Sequence, residues 1–317
     1  MIIKDIKCFA PMNSTPDKSK SKVYHYTSPE GLYSILENRT LRFTDCQFLN
    51  DKSEAMYIRN PLRRVLGELG DQIKPEMKEV IEDLFDENYK TEPLSPSYQE
   101  QILSISAENA RYYIFCLSEG RDLLNMWNYY VKNGNYQGYN LCFTNYQLVK
   151  CLEQISLSNM RVFYGQVLYT YKEQADALQR MLLERNNEYL HLVSLTRDKE
   201  SSLEMVRGQV TDYINDYKLF YKDDSFSGEK EYRFVIKLPN NYVIQEDKGL
   251  KMGFAIKNGI FTPCCDLKLN PTETINSITI APIMEKELAE KGLRRFLKMN
   301  NYNPKISIEA SSIPIRY

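Results

Sequence analysis

The 317-residue chain contains two histidines, His25 and His191, and one tryptophan, Trp127. Two imidazoles cannot build a multi-histidine metal site, and a Ser-His-Asp arrangement would have to draw on one of them. The seven cysteines form no CxxC pair, and the adjacent Cys264 and Cys265 lack zinc-ligand spacing. No metal site is expected. No window of about 18 apolar residues occurs, so no membrane helix is expected. The first ten residues, MIIKDIKCFA, lack the apolar core of a secretory signal. A reduced, cytoplasmic protein without membrane contact is the simplest expectation. GxGxxG and GxxxxGK[ST] are missing, which removes the support for Rossmann and Walker-type nucleotide sites. HExxH and GxSxG are missing too. Charge of one sign is also lacking: 41 Lys and Arg stand against 42 Asp and Glu, which excludes a dominant basic nucleic-acid surface.

Strand patterns occur at KVYHYTS, TLRFTD, RYYIFCLS, GYNLCFT, RVFYGQVLYT, EYRFVIKLP, the strand-turn-strand GFAIKNGIFTPCCDLKL, NSITIAP and KISIEASSIPIRY. Ser28 or Thr27 can cap a helix that starts at Pro29. Further helices are expected over DLLNMWNYYVKNG, over 145–158 and over EKELAEKGLRRFLKMNN, with a long region at 171–220 that reads as two helices. Strands and helices mix without regular βαβ alternation. That argues for an α+β fold with a mixed or antiparallel sheet. The expected organisation is a flexible lead-in over 1–22 and a single domain over 23–317, with helical insertions at about 55–110 and 171–220.

Five constellations could carry chemistry. His25 lies on a strand among Tyr24, Tyr26 and Thr27. It is either a packed histidine in an aromatic cluster or a group on a cleft floor that hydrogen-bonds a ribose or carboxamide. Asn50, Asp51 and Glu54 suit a helix cap with its capping box, or a substrate contact. Ser118 ends an apolar strand, Asp122 is placed as a helix cap or first-turn acid, and Trp127 and Tyr130 lie three apart on one face of the next helix, where Trp127 reads as core and Tyr130 as either core or a ligand contact. Glu229 and Glu231 fall on one face if both lie on a strand. Like charges there are unfavourable unless solvated, paired to Arg233 or a lysine, or used to stabilise a growing oxocarbenium charge. Near the C-terminus, Ser312 and Arg316 stand in a strand whose closing Arg could bind phosphate or pair with an acid, and the structural acid pair is favoured.

Seven segments stand in order: HYTSPEGLYSIL, LRFTDCQFLNDKSE, IFCLSEGRDLLNMWNYY, GYNLCF, FSGEKEYRFVI, NSITIAP and SSIPIRY. Together they resemble a widespread bacterial domain-of-unknown-function family, numbered twenty-nine seventy-one, over about residues 23–317. A second, weaker resemblance is to ADP-ribosyltransferase-like folds, in which successive strands carry His or Arg, then Ser or Tyr, then the catalytic Glu of a Glu/Gln-x-Glu pair. That resemblance implies a split sheet and NAD as substrate. It implies His25 on the NAD ribose, Ser118 on the nicotinamide side, Glu231 as the catalytic glutamate and Glu229 orienting the acceptor. Tyr24, Tyr26, Thr27, Asn50, Asp51, Glu54, Tyr130 and Arg233 would complete the nucleotide contacts, with Tyr26 or Tyr130 as the stacking ring. The family's Ser-Thr-Ser run is here Leu117-Ser118-Glu119. The implied activity is ADP-ribosyl transfer to a protein or nucleic-acid acceptor, or NAD hydrolysis, in a toxin or phage-defence setting. The alternatives are a nucleotide- or nucleic-acid-binding domain without turnover, and an interaction protein whose polar motifs are caps and core contacts.

Overall fold

Strand alternation and two short helical faces account for most of the architecture. A computed structural model describes residues 2–5, 21–49, 57–84, 110–131, 137–155, 160–239 and 249–315. The chain forms two units: Met1–Leu49, Arg111–Gln166 and Gly228–Tyr317 make the first, and Asn50–Ala110 with Val167–Ser227 the second. The stretches read from sequence as helical insertions fall in the second unit.

The first unit holds the sheet. Its strands are β1 (Ile2–Asp5), β2 (Lys22–Thr27), β3 (Thr40–Asp45), β4 (Ala110–Ser118), β5 (Tyr139–Thr144), β6 (Arg161–Gln166), β7 (Glu231–Pro239), β8 (Leu250–Lys257), β9 (Ile260–Lys268), β10 (Ser277–Ile280) and β11 (Ser307–Ala310). The main path runs β1-β6-β7-β4-β2-β5-β10-β11, and a branch leads from β4 through β3 and β9 to β8. Among the described pairings, β1–β6 and β10–β11 are parallel. The pairings of β2 with β4 and β5, of β3 with β4 and β9, of β5 with β10, of β6 with β7 and of β8 with β9 are antiparallel. The fold is α+β with a mixed, mostly antiparallel open sheet. One correction concerns the lead-in: Ile2–Asp5 is a strand beside Arg161–Tyr164.

One sheet face carries Val23, Phe43, Phe115, Leu117, Leu141, Phe143, Tyr232 and Phe234. Three helices supply the facing apolar residues: α1 (Pro29–Asn38) gives Leu32 and Leu36, α5 (Asn145–Glu153) gives Leu148 and Leu152, and α8 (Lys286–Met299) gives Leu293 and Leu297. Each such side chain contributes roughly 1.5–3 kcal/mol on burial. Ser28 caps α1 by accepting from the Gly31 N–H at 3.1 Å, as its position before Pro29 suggested. A Cβ on Gly31 would lie 2.0 Å from Thr27 Oγ1, so α1 approaches β2 this closely because residue 31 has no side chain. The opposite face is covered by α4 (Leu124–Tyr130), whose Met126 and Trp127 pack with Tyr24, Tyr26 and Cys142.

The second unit is helical in its described residues: α2 (Arg59–Leu69), α3 (Pro75–Asp83), α6 (Tyr171–Thr196) and α7 (Lys199–Tyr217). Leu62, Leu66, Met77, Ile81, Leu178, Leu182, Val206 and Val210 make its core. The 171–220 region does split in two, because Arg197 takes a left-handed conformation and Asp198 caps α7 through the Ser201 N–H. The C-terminal part of the expected helical insertion at about 55–110, residues 85–109, lies outside the described residues. His191 lies on an exposed turn of α6.

Candidate active site

The end of β4 and the entrance of β7 are tied together by short hydrogen bonds. Glu119 N–H donates to the Lys230 carbonyl at 2.8 Å, and Ser118 Oγ donates to the Glu229 carbonyl at 2.7 Å while accepting from Gly120 N–H at 3.1 Å. Gln166 donates to the Glu119 carboxylate on the same side. Ser118 therefore fixes backbone rather than presenting its hydroxyl to a ligand. Between the two glutamates, Lys230 adopts φ +46°, a left-handed conformation costing about 1 kcal/mol for a residue with a Cβ. Glu229 closes a 3-10 stretch and Glu231 opens the strand. The expectation that both lie on one strand face is thus corrected, since strand alternation starts only at Glu231.

Both carboxylates are nonetheless buried, and both lie near enough to Tyr130 to act on its phenol. Arg233 Nε donates to Glu231 Oε1 at 2.9 Å and its Nη2 to Oε2 at 2.7 Å, a two-point grip between residues on the same strand face. Tyr130 OH donates to Glu229 Oε1 at 3.3 Å. Burial, then the nearby Glu231 and Glu229 carboxylates, push the Tyr130 phenol well above its ordinary value. It stays a neutral donor. Tyr130 is 39% exposed, which favours the ligand-contact reading over the core one. Glu229, Glu231, Arg233 and Cys116 all lie close enough to act on this phenol.

The register separates His25 from this group. Tyr24 pairs with Ser118 and with Cys142, and His25 with Leu141. The His25 ring lies 4.7 Å from Phe115, and its Nδ1 is 3.2 Å from the Cys116 carbonyl. Phe115 and Leu141 belong to the face covered by α1, α5 and α8, and so does Tyr232. Glu231 and Arg233 alternate with Tyr232, so they point to the α4 side. The structure brings together Glu229, Glu231, Arg233 and Tyr130, with Ser118 behind them. His25 lies on the other face. Thr27 packs under the first turn of α1. Asn50, Asp51 and Glu54 lie outside the described residues.

His25 has a measurable signature of its own. Burial lowers its pKa from 6.5 to about 4, against the opposing effect of its bond to the Cys116 carbonyl. The folded state therefore favours the neutral ring, and protons bind the unfolded chain first. Stability is expected to be full above pH 6.5 and to fall as pH drops towards 4, by no more than about 3 kcal/mol at about 1.4 kcal/mol per unit. Urea unfolding of wild type and His25→Gln at pH 7 and 4.5 checks this, because the variant should lose less stability over that interval.

Tyr24 and Tyr26 serve the same layer. Tyr26 OH donates to the Gly120 carbonyl at 2.8 Å and accepts from Leu123 N–H at 3.0 Å, and its ring meets Trp127 edge-on at 4.7 Å. Burial pushes the Tyr24 phenol up to about 12. Asp122 does not cap α4, which begins at the N-cap Leu123 without a side-chain cap bond. Its carboxylate instead accepts from Trp127 Nε1 at 2.7 Å, Ser311 Oγ at 2.7 Å, Ser312 N–H at 2.8 Å and Ser312 Oγ at 3.1 Å. The acid pairing expected of Arg316 lies outside the described residues. This Asp122 knot was not foreseen. The paired hydroxyls of Ser311-Ser312 were its only trace in the sequence.

Among the described residues, no group of three or more His, Cys, Asp or Glu is arranged to hold a metal ion. Among the described residues, no helix is long and apolar enough to cross a membrane. Cys46, Cys116, Cys142, Cys151, Cys264 and Cys265 form no disulfide. No curated protein and no solved structure matches the chain. Residues 126–234, from Met126 in α4 to Phe234 in β7, match the model of the family described as "Protein of unknown function (DUF2971)", and this match supports the family to which the ordered motifs pointed.

Proposed function

We propose that the site at the entrance of β7 takes NAD as substrate, and that the protein is an ADP-ribosyltransferase or NAD glycohydrolase of the cytoplasm with an ADP-ribosyltransferase-like split sheet. One observation carries the reading: two buried carboxylates, Glu229 and Glu231, both act on the phenol of one partly exposed tyrosine, Tyr130. Cleaving a nicotinamide–ribose bond releases a neutral leaving group, so the protein's main task is to stabilise positive charge on the ribose. Glu231, oriented by Arg233, is placed for that task. Glu229 orients the acceptor, a protein or nucleic-acid group or water, and Tyr130 at the rim contacts the nucleotide. Ser118 supports the site through the Glu229 backbone. His25, on the other sheet face, has a structural role in this reading. A toxin or phage-defence setting suits the reaction.

A second reading, nucleotide binding without turnover, is favoured by the two-point grip of Arg233, which already offsets the charge of Glu231. Titrating the full chain with NAD while measuring free nicotinamide separates the two. The catalytic reading expects binding with release, and binding weakened about tenfold in Tyr130→Ala, the loss of one ring contact. Binding without release selects the second reading. Absence of binding contradicts both.

A further inference from the structure

The β8–β9 hairpin ends in a tip that the sheet does not cover. Phe254, Ile256, Ile260 and Phe261 are 68%, 64%, 57% and 71% exposed. Asn258 and Gly259 form the two-residue turn with φ of +50° and +78°, the Asn-Gly geometry that matches the twist of paired strands. Register fixes where the four side chains stand. Ile256 pairs with Phe261 and Phe254 with Pro263, so these line one face of the ribbon. Lys257 pairs with Ile260, which puts Ile260 on the other face.

We infer that this tip is a shallow membrane anchor that inserts into an anionic lipid surface. Three observations lead there. First, apolar side chains occupy both faces of the tip. A flat protein surface would cover one face and leave the other wet, whereas a lipid interface surrounds the whole tip. Second, the four residues present on the order of 500 Å², a large patch for a monomer but short of the roughly 800 Å² per partner that a stable protein complex uses. Third, Met252–Pro263, the end of the hairpin, contains Lys257 and no acidic residue, which complements anionic headgroups rather than a second copy of the same hairpin. Insertion would reach only the headgroup and acyl boundary, as for other interfacial anchors.

Vesicle co-sedimentation tests the inference on the full chain. The probes are vesicles of phosphatidylcholine alone and of phosphatidylcholine with about 30 mol % phosphatidylserine, the anionic lipid whose surface attracts lysines. The wild type is expected to partition onto the anionic vesicles, and more weakly onto the neutral ones. Phe254→Ser combined with Phe261→Ser changes only exposed side chains, and should lower partitioning by about tenfold or more with an unchanged melting temperature. Lys257→Glu should weaken binding to anionic vesicles alone. The inference is overturned if the wild type stays in solution with both vesicle types, or if the double variant binds as well as wild type. It is overturned equally if sedimentation equilibrium shows a wild-type dimer that the double variant loses, because the tip is then an interface between copies.

Discussion

Arg233→Ala is expected to lower the unfolding free energy by about 3–5 kcal/mol, the loss that follows when one partner of a buried ion pair is removed. Arg233 is 1% exposed, and its guanidinium holds both oxygens of Glu231. Without it, the Glu231 carboxylate stays buried and loses the partner that holds both of its oxygens. Arg233→Lys should lose less, because an ammonium restores charge but not the planar two-point fit. Guanidinium unfolding of the three proteins measures the order. A loss below about 1 kcal/mol in Arg233→Ala, the size of an exposed pair, would mean that the pair is solvated.

The second large effect is expected at Asp122. One carboxylate takes four hydrogen bonds and joins the start of α4 to the segment after β11. Hydrogen bonds to a charged group contribute about 1.5–3 kcal/mol each and are not additive within one cluster, so Asp122→Ala should cost about 3–5 kcal/mol. Asp122→Asn should be nearly as damaging, since its amide would turn a donor towards donors. The knot is also sensitive to acid. Burial alone would raise the Asp122 pKa, but the donors from Trp127, Ser311 and Ser312 outweigh it and hold the carboxyl below 3.8. Its contribution is therefore complete above pH 3.8 and is lost as pH falls through the lower folded value. Trp127, the chain's one tryptophan, donates to this carboxylate, so its fluorescence reports the loss. An acid transition identical in wild type and Asp122→Asn would show that Asp122 does not control it.

Local signals carried most of the element assignments. RYYIFCLS marks β4 because an unbroken aromatic and β-branched run suits a strand buried on both faces, and Asn258-Gly259 marks the hairpin because the turn needs those residues. β1 left no such signal. It has four residues, and its partner in β6 is more than 150 positions away. The site was legible as a list of residues but not as a geometry. Glu229, Glu231, Arg233 and Tyr130 were all identifiable from their types and spacing. What the sequence hid was the left-handed Lys230, which breaks the alternation between the glutamates. It also hid the side of the sheet on which each strand's polar residue emerges. His25 follows from the second point. Its rank in the motif order suggested a shared cleft, but the pairing of Tyr24 with Ser118 sends His25 to the opposite face.

The central claim is that the carboxylates at the entrance of β7 do chemistry and are not only a structural pair. Nicotinamide release from NAD by wild type, Glu231→Gln and Glu229→Gln, each shown to be folded at the assay temperature, tests it most directly. Wild type should release nicotinamide, and Glu231→Gln should be slower by about 10²–10³-fold, the effect of removing one electrostatic stabiliser. Glu229→Gln should chiefly reduce transfer to the acceptor. Equal release by wild type and Glu231→Gln, or no release by wild type with protein, nucleic acid or water as acceptor, would contradict the account.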